Sequence, residues 1–142
     1  MTDHILCAID LGHAKQEAKH LEKAADLARF YNATLSVVTV IPDYSMSVVG
    51  SFFEDGTMRK AIDATNTHLH QYVQDTLPDF GPVQHIVEVG SVYEMILDAI
   101  ERSSADLVVM GAHRPDLADR IMGPNAARVA RATKASVLIL RD

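Results

Sequence analysis

Apolar and polar positions along the chain follow two different periods. Four short apolar runs bounded by turn residues, at 5–9, 35–41, 107–110 and 137–140, read as buried parallel strands. A fifth, at 84–89, sets His85 and Val87 against Ile86 and Glu88, and this alternation predicts an edge strand with one wetter face. Between the strands, apolar residues recur every three to four positions, the spacing of a helix with one buried stripe. The stripe runs through Ala18, Leu21, Ala25 and Ala28 in 14–31, and through Ile62, Leu69 and Val73 in 61–77. It continues through Val92, Met95, Ile96 and Ala99 in 91–102, and through Val129 and Ala130 in 125–133, with Arg128 and Arg131 outward. Ser91 and Glu94 have the spacing of a capping box, in which each side chain satisfies an orphan amide at the other's end. Residues 43–56 fit neither period. They read as a long surface loop held to the core by Val48, Phe52 and Phe53, with a lid or a partner surface as the sharper alternative.

The order βαβαβαβαβ implies a parallel sheet with helices on both faces. Right-handed crossovers leave few ways to wind it, and a doubly wound sheet with its switch point beside the first strand is expected. A chain of 142 residues without repeat or linker makes one domain, 1–142. Such folds bind ligands at the carboxyl ends of the strands, at the switch point.

Strand ends are therefore where chemistry is sought. The first strand ends in Asp10, which puts a carboxylate at that edge. The fourth ends in Gly111, where a missing Cβ lets backbone approach a ligand. The last helix opens at Gly123-Pro124-Asn125-Ala126, with proline at the first helical position, where its missing N–H costs nothing. The free amides of Asn125 and Ala126 and the positive end of the helix dipole suit an anion, and Arg114 offers a planar charged fork for phosphate. The alternative is an ordinary strand-to-helix junction with Arg114 paired to Asp116 or Asp119.

Composition narrows the classes. Apolar residues at 48% and charged ones at 23% describe a soluble globular protein. A lone cysteine, Cys7, excludes a disulfide framework and a cysteine zinc site. The N-terminus lacks a basic signal region, and no apolar run nears the roughly 20 residues of a membrane span, so a cytoplasmic protein without membrane insertion is expected. A net charge of −6 argues against nucleic acid as partner. Yet residues 114–134 carry +3 and the remainder −9, which leaves a place for a single phosphorylated ligand.

The run Gly111-Ala112-His113-Arg114-Pro115-Asp116 through Ile121-Met122-Gly123-Pro124-Asn125-Ala126, closing with Ala135–Arg141, resembles the universal stress protein family. The likeness is greatest to its short, single-domain F/G-type branch of the ATP-binding type, and it extends to Ala8-Ile9-Asp10 and Val40-Ile41-Pro42. The resemblance implies a Rossmann-like five-stranded sheet in the order 3-2-1-4-5 and a homodimer paired through the last strands. By position it implies Ala8, Ile9 and Asp10 against ribose and adenine, and Val40 against the base. Met110 and Gly111 would approach the adenosine, His113 and Arg114 the phosphates, and Gly123, Pro124, Asn125 and Ala126 would form the phosphate-binding helix start.

Two departures from the family's pattern matter most, beside smaller ones at Ala8, where proline is usual, and at Leu11-Gly12. Arg114 stands at its second glycine, and Gly123 follows nine positions later, one residue short, a change that the F/G-type branch shares. Pro124 replaces the usual serine and removes both a hydroxyl and an amide, and a charged hydrogen bond so lost is worth about 1.5–3 kcal/mol.

Other chemistries lack their residues. No Gly-x-Ser-x-Gly elbow, Walker loop or Gly-x-Gly-x-x-Gly is present. His68 and His70, two apart on a helix, make a poor metal pair. A phosphoacceptor receiver domain needs an acid cluster at the first strand end, but Asp10 stands alone there, and Arg141 follows the last strand in place of lysine.

The expectation is a dimeric stress-response regulator that binds ATP, ADP or AMP, with Mg2+ or Mn2+ accompanying the phosphates and Asp10 holding ribose or the metal. Hydrolysis is expected to be slow or absent, since no general base is evident. The alternative from a different class is a dimeric interaction module for an unknown protein partner, with a vestigial nucleotide site. Val137 and Ile139 on the last strand are the expected dimer residues.

Overall fold

The computed structural model describes residues 2–42, 57–112 and 123–141. The segment 43–56 and the residues His113 and Arg114 therefore lie outside the described residues.

Five strands form one parallel sheet: β1 (His4–Ala8), β2 (Thr34–Pro42), β3 (Gln84–Gly90), β4 (Leu107–Gly111) and β5 (Ser136–Leu140). Their order is β3-β2-β1-β4-β5, so the chain reverses direction of winding beside β1 as expected. Among the described residues four α-helices lie between them: α1 (Ala14–Tyr31), α2 (Thr57–Thr76), α3 (Val92–Ser103) and α4 (Pro124–Ala132). Cα register sets Cys7 opposite Val37 on one side and Val109 on the other, which aligns the strand ends at the switch point.

Alternation along the strands builds two cores. Ile5, Cys7 and Ile9 point with Val37 and Val109 toward α1 and α2, where they meet Leu21, Ala25, Leu69 and Val73. Leu6, Val38, Val108 and Met110 point the other way, toward Ile96, Ala99, Ala126 and Val129 of α3 and α4. Central strands buried on both faces are apolar throughout, which is why they read as unbroken runs. Burial drives the Cys7 thiol well above its ordinary range, and the nearby charge of Glu17 pushes the same way.

Three local expectations need correction. Ser91 precedes α3 but makes no side-chain cap; the Glu94 carboxylate instead accepts a hydrogen bond from the Tyr93 hydroxyl at 3.2 Å. Ala130 is exposed, and the buried stripe of α4 runs through Ala126 and Val129. A 3-10 turn over Leu11–His13, absent from the periodic reading, joins β1 to α1. The helix α1 ends on Asn32 and α3 on Ser104, both left-handed with their amides returned to carbonyls of the last turn.

Candidate functional site

A cleft of about 380 Å3 opens at the carboxyl ends of β1, β2 and β4, between those strands and the starts of α3 and α4. Of the expected nucleotide-binding residues, Ala8, Ile9, Asp10, Val40, Met110, Gly111, Gly123, Asn125 and Ala126 line it. Pro124 heads α4 beside the cleft but is exposed and is not part of its wall.

Three zones follow one another across the cleft. Val38, Val40 and Pro42 of β2, with Val92 and Ile96 of α3, make an apolar end. The middle is the exit of β1, with Asp10, Gly12 and His13. The far end is the opening of α4, where Gly123 is the N-cap and has no side chain to cap with. The Gly123 amide donates to the Ala112 carbonyl at 2.8 Å, and Pro124 has no amide. Asn125 and Ala126 thus present the helix's remaining first-turn N–H groups, and the positive end of the dipole adds to them. An apolar slot at one end and unspent donors at the other suit a molecule with a flat apolar ring and a phosphate. The residues present therefore fit an adenine nucleotide.

Asp10 is already engaged. Its Oδ1 accepts from the Gly12 amide at 2.9 Å, and its Oδ2 meets Nδ1 of His13 at 2.9 Å. The first contact is an Asx turn that closes the 3-10 turn, and the His13 amide completes it by donating to the Asp10 carbonyl at 2.9 Å. Among the described residues, no group of three or more His, Cys, Asp and Glu is arranged to hold a metal.

Gly111 has a different role from the one its position suggests. A Cβ there would lie 2.5 Å from Cε1 of His20, a closer approach than real Cβ atoms make, so the missing side chain faces α1. His20 is 6% exposed, and its Nδ1 lies 2.6 Å from Oε2 of Glu17. Glu17 turns its other oxygen to the Asp10 amide at 3.2 Å. The pair Glu17–His20 thereby ties α1 to the exits of β1 and β4 beneath the cleft. Sequence reasoning passed over His13, Glu17 and His20. Their signal was Asp-x-x-His followed by Glu-x-x-His, two spacings that bring acid and imidazole together on a turn and on a helix.

A second concavity, about 680 Å3, lies between α2 and the edge strand β3 and is lined by His70, Gln71, Val73, Leu77, Phe80, Pro82 and His85 among others. His70 and His85 stack there with centroids 3.6 Å apart. Burial lowers the His85 pKa from its ordinary 6.5, and the neighbouring His70 adds to that shift.

Comparison with known proteins agrees with this architecture. The sequence model described as "Universal stress protein family" matches residues 1–141. Universal stress protein A of Escherichia coli (strain K12) is 34% identical over 113 residues, which is 78% of this chain and 76% of that protein. Universal stress protein A homolog 1 of Coxiella burnetii is 29% identical over 137 residues, 95% of this chain and 93% of that protein. Among solved structures, a universal stress protein in complex with cAMP superposes with a TM-score of 0.67 at 20% identity, covering 99% of this chain and 97% of that one.

Proposed function

This chain belongs to the universal stress protein family, and from that premise we propose that it is a cytoplasmic regulator that binds an adenine nucleotide in the switch-point cleft and acts as a dimer. The observation that carries the reading is the pairing, in one cleft, of the β2–α3 apolar slot with the open amides of Asn125 and Ala126. The solved relative that holds cAMP supports an adenine nucleotide as the class of ligand. In this reading base and sugar lie against Val40, Ala8, Ile9 and Met110, and the phosphates against Gly123, Asn125 and Ala126. ATP is the ligand put forward, with Mg2+ or Mn2+ bound through its phosphates and with slow or absent hydrolysis. Calorimetric titration with ATP, ADP and AMP tests this: saturable heat is expected, and no binding at millimolar nucleotide overturns it.

Dimerisation rests on β5. It is an edge strand whose Val137, Leu138, Ile139 and Leu140 remain only half-buried in the single chain, an arrangement that proteins usually cover or pair. Val137→Lys or Ile139→Lys is expected to elute as a monomer from a sizing column, and an unchanged dimer would move the interface elsewhere.

One observation favours the second reading, an interaction module with a vestigial site: Pro124 at the first position of α4 withholds an amide from the phosphates. Mass spectrometry of the denatured protein decides between them, since an adenine nucleotide carried through purification excludes a vestigial site.

A further inference from the structure

The contact between Asp10 and His13 has a consequence for what the cleft recognises. An ionised carboxylate only accepts hydrogen bonds, so the 2.9 Å contact to Asp10 Oδ2 requires His13 Nδ1 to carry the hydrogen. In a neutral imidazole the other nitrogen, Nε2, is then an acceptor without a hydrogen. Among the described residues Nε2 of His13 has no partner, and the ring belongs to the wall of the cleft at 39% side-chain exposure.

We propose that His13, held in this tautomer by Asp10, reads a ribose hydroxyl of the bound nucleotide and makes the site selective for ribonucleotides over deoxynucleotides. The inference rests on the nucleotide reading above. It assigns Asp10 a positioning role, acting through His13, in place of a direct hold on ribose or metal.

Placement along the cleft supports the choice of the sugar. The apolar slot of Val38, Val40 and Pro42 is one end, and the amides of Asn125 and Ala126 are the other. The exit of β1 lies between β2 and β4 in the sheet, so His13 sits where the part of a nucleotide between base and phosphates must pass. The chemistry supports it as well. A bare ring nitrogen needs a donor. A ribose hydroxyl is a donor, whereas an ionised phosphate oxygen is not. The neutral ring therefore discriminates in favour of the sugar and gives nothing to the phosphate.

The Glu17–His20 pair behind this turn makes the geometry stiff. Glu17 Oε1 accepts from the Asp10 backbone amide, so the residue that orients His13 is tied at its main chain to α1. His13 makes no side-chain cap for α1, which leaves the helix start intact when the ring is removed.

The experiment compares ATP, 2′-deoxy-ATP and 3′-deoxy-ATP by calorimetry at mildly alkaline pH, where an imidazole is neutral, on the wild type, His13→Ala and Asp10→Asn. Expected is a wild-type preference of about three- to tenfold for ATP over one of the deoxy forms, the range of one neutral hydrogen bond. The preference should vanish in His13→Ala. Asp10→Asn should reduce the preference, and nitrogen-15 spectra of the ring should show His13 leaving the Nδ1–H tautomer. His13→Gln, whose amide N–H2 and C=O can serve a hydroxyl, guards against loss of fold in His13→Ala and should retain part of the preference. Equal wild-type binding of all three nucleotides overturns the inference and leaves nucleotide binding standing. A preference that survives in His13→Ala overturns it too. Absence of binding by any of the three overturns the nucleotide reading together with this one.

Discussion

Two concavities among the described residues differ in a way that volume does not express. The groove beside β3 is the larger at about 680 Å3, but its walls come from one helix, the neighbouring edge strand and the link between them. The cleft at the switch point is smaller at about 380 Å3, yet three strands, a 3-10 turn and the starts of three helices converge on it. Convergence brings strand-end carbonyls, first-turn amides and turn-borne side chains to one place, and these are the groups that can hold a polar ligand. In the groove, the ring face of His85 is spent on His70, and its buried Nε2 has no partner among the described residues. The smaller space is the functional candidate because of which backbone ends meet there.

The largest effect is expected from the floor of the cleft. Gly111→Ala drives a Cβ into the His20 ring at 2.5 Å, and His20 cannot retreat without losing its 2.6 Å contact to Glu17. Overpacking of this kind costs about 1–3 kcal/mol, read as a lowered midpoint in denaturant. Combining it with His20→Ala should cost less than the sum of the two single changes, because the clash disappears with the ring. Strict additivity would show that the two residues do not meet.

A smaller effect separates the cleft from the groove. Asn125→Glu sets a carboxylate against the phosphates and should weaken ATP binding about tenfold or more, the scale of one charge-assisted contact reversed. The fold should be unharmed, since an acid suits a helix N-terminus. Gln71→Glu in the groove should leave ATP affinity unchanged. If it weakens binding as much as Asn125→Glu, the ligand lies in the wrong one of the two places in this account.

The smallest effect belongs to the groove alone. Because burial and His70 hold the His85 pKa below 6.5, the fold keeps His85 neutral while the unfolded chain protonates near that ordinary value. The stability so contributed is present above pH 6.5 and is lost as the pH falls below it, through the folded-state value. The melting temperature should therefore decline more steeply on the acid side in the wild type than in His85→Phe, which keeps a ring in the stack and cannot titrate. Parallel slopes would show that His85 is not the group responsible.

How much was legible in the sequence depended on the range of the interaction concerned. The bounds of α1 match the periodic reading to the residue, since a long amphipathic stripe is a local property. The capping box at Ser91 did not form, and Glu94 accepts from the Tyr93 hydroxyl instead. Gly111 was placed correctly at the cleft and explained by the ligand, whereas the contact that needs a glycine is with His20 on α1, ninety-one positions earlier in the chain.

The division is a physical one. The sequence by itself determined the alternation of strand and helix, the two-sided burial of the central strands and the carboxyl-end location of Asp10, Gly111 and Gly123. All of these follow from period, burial and turn chemistry within short windows. Tertiary structure alone decided that His20 of α1 packs on Gly111 of β4, and that Glu17 and His20 brace β1 against β4. Hydrogen bonds act over about 3 Å, and only the folded sheet brings those ends of the chain that close.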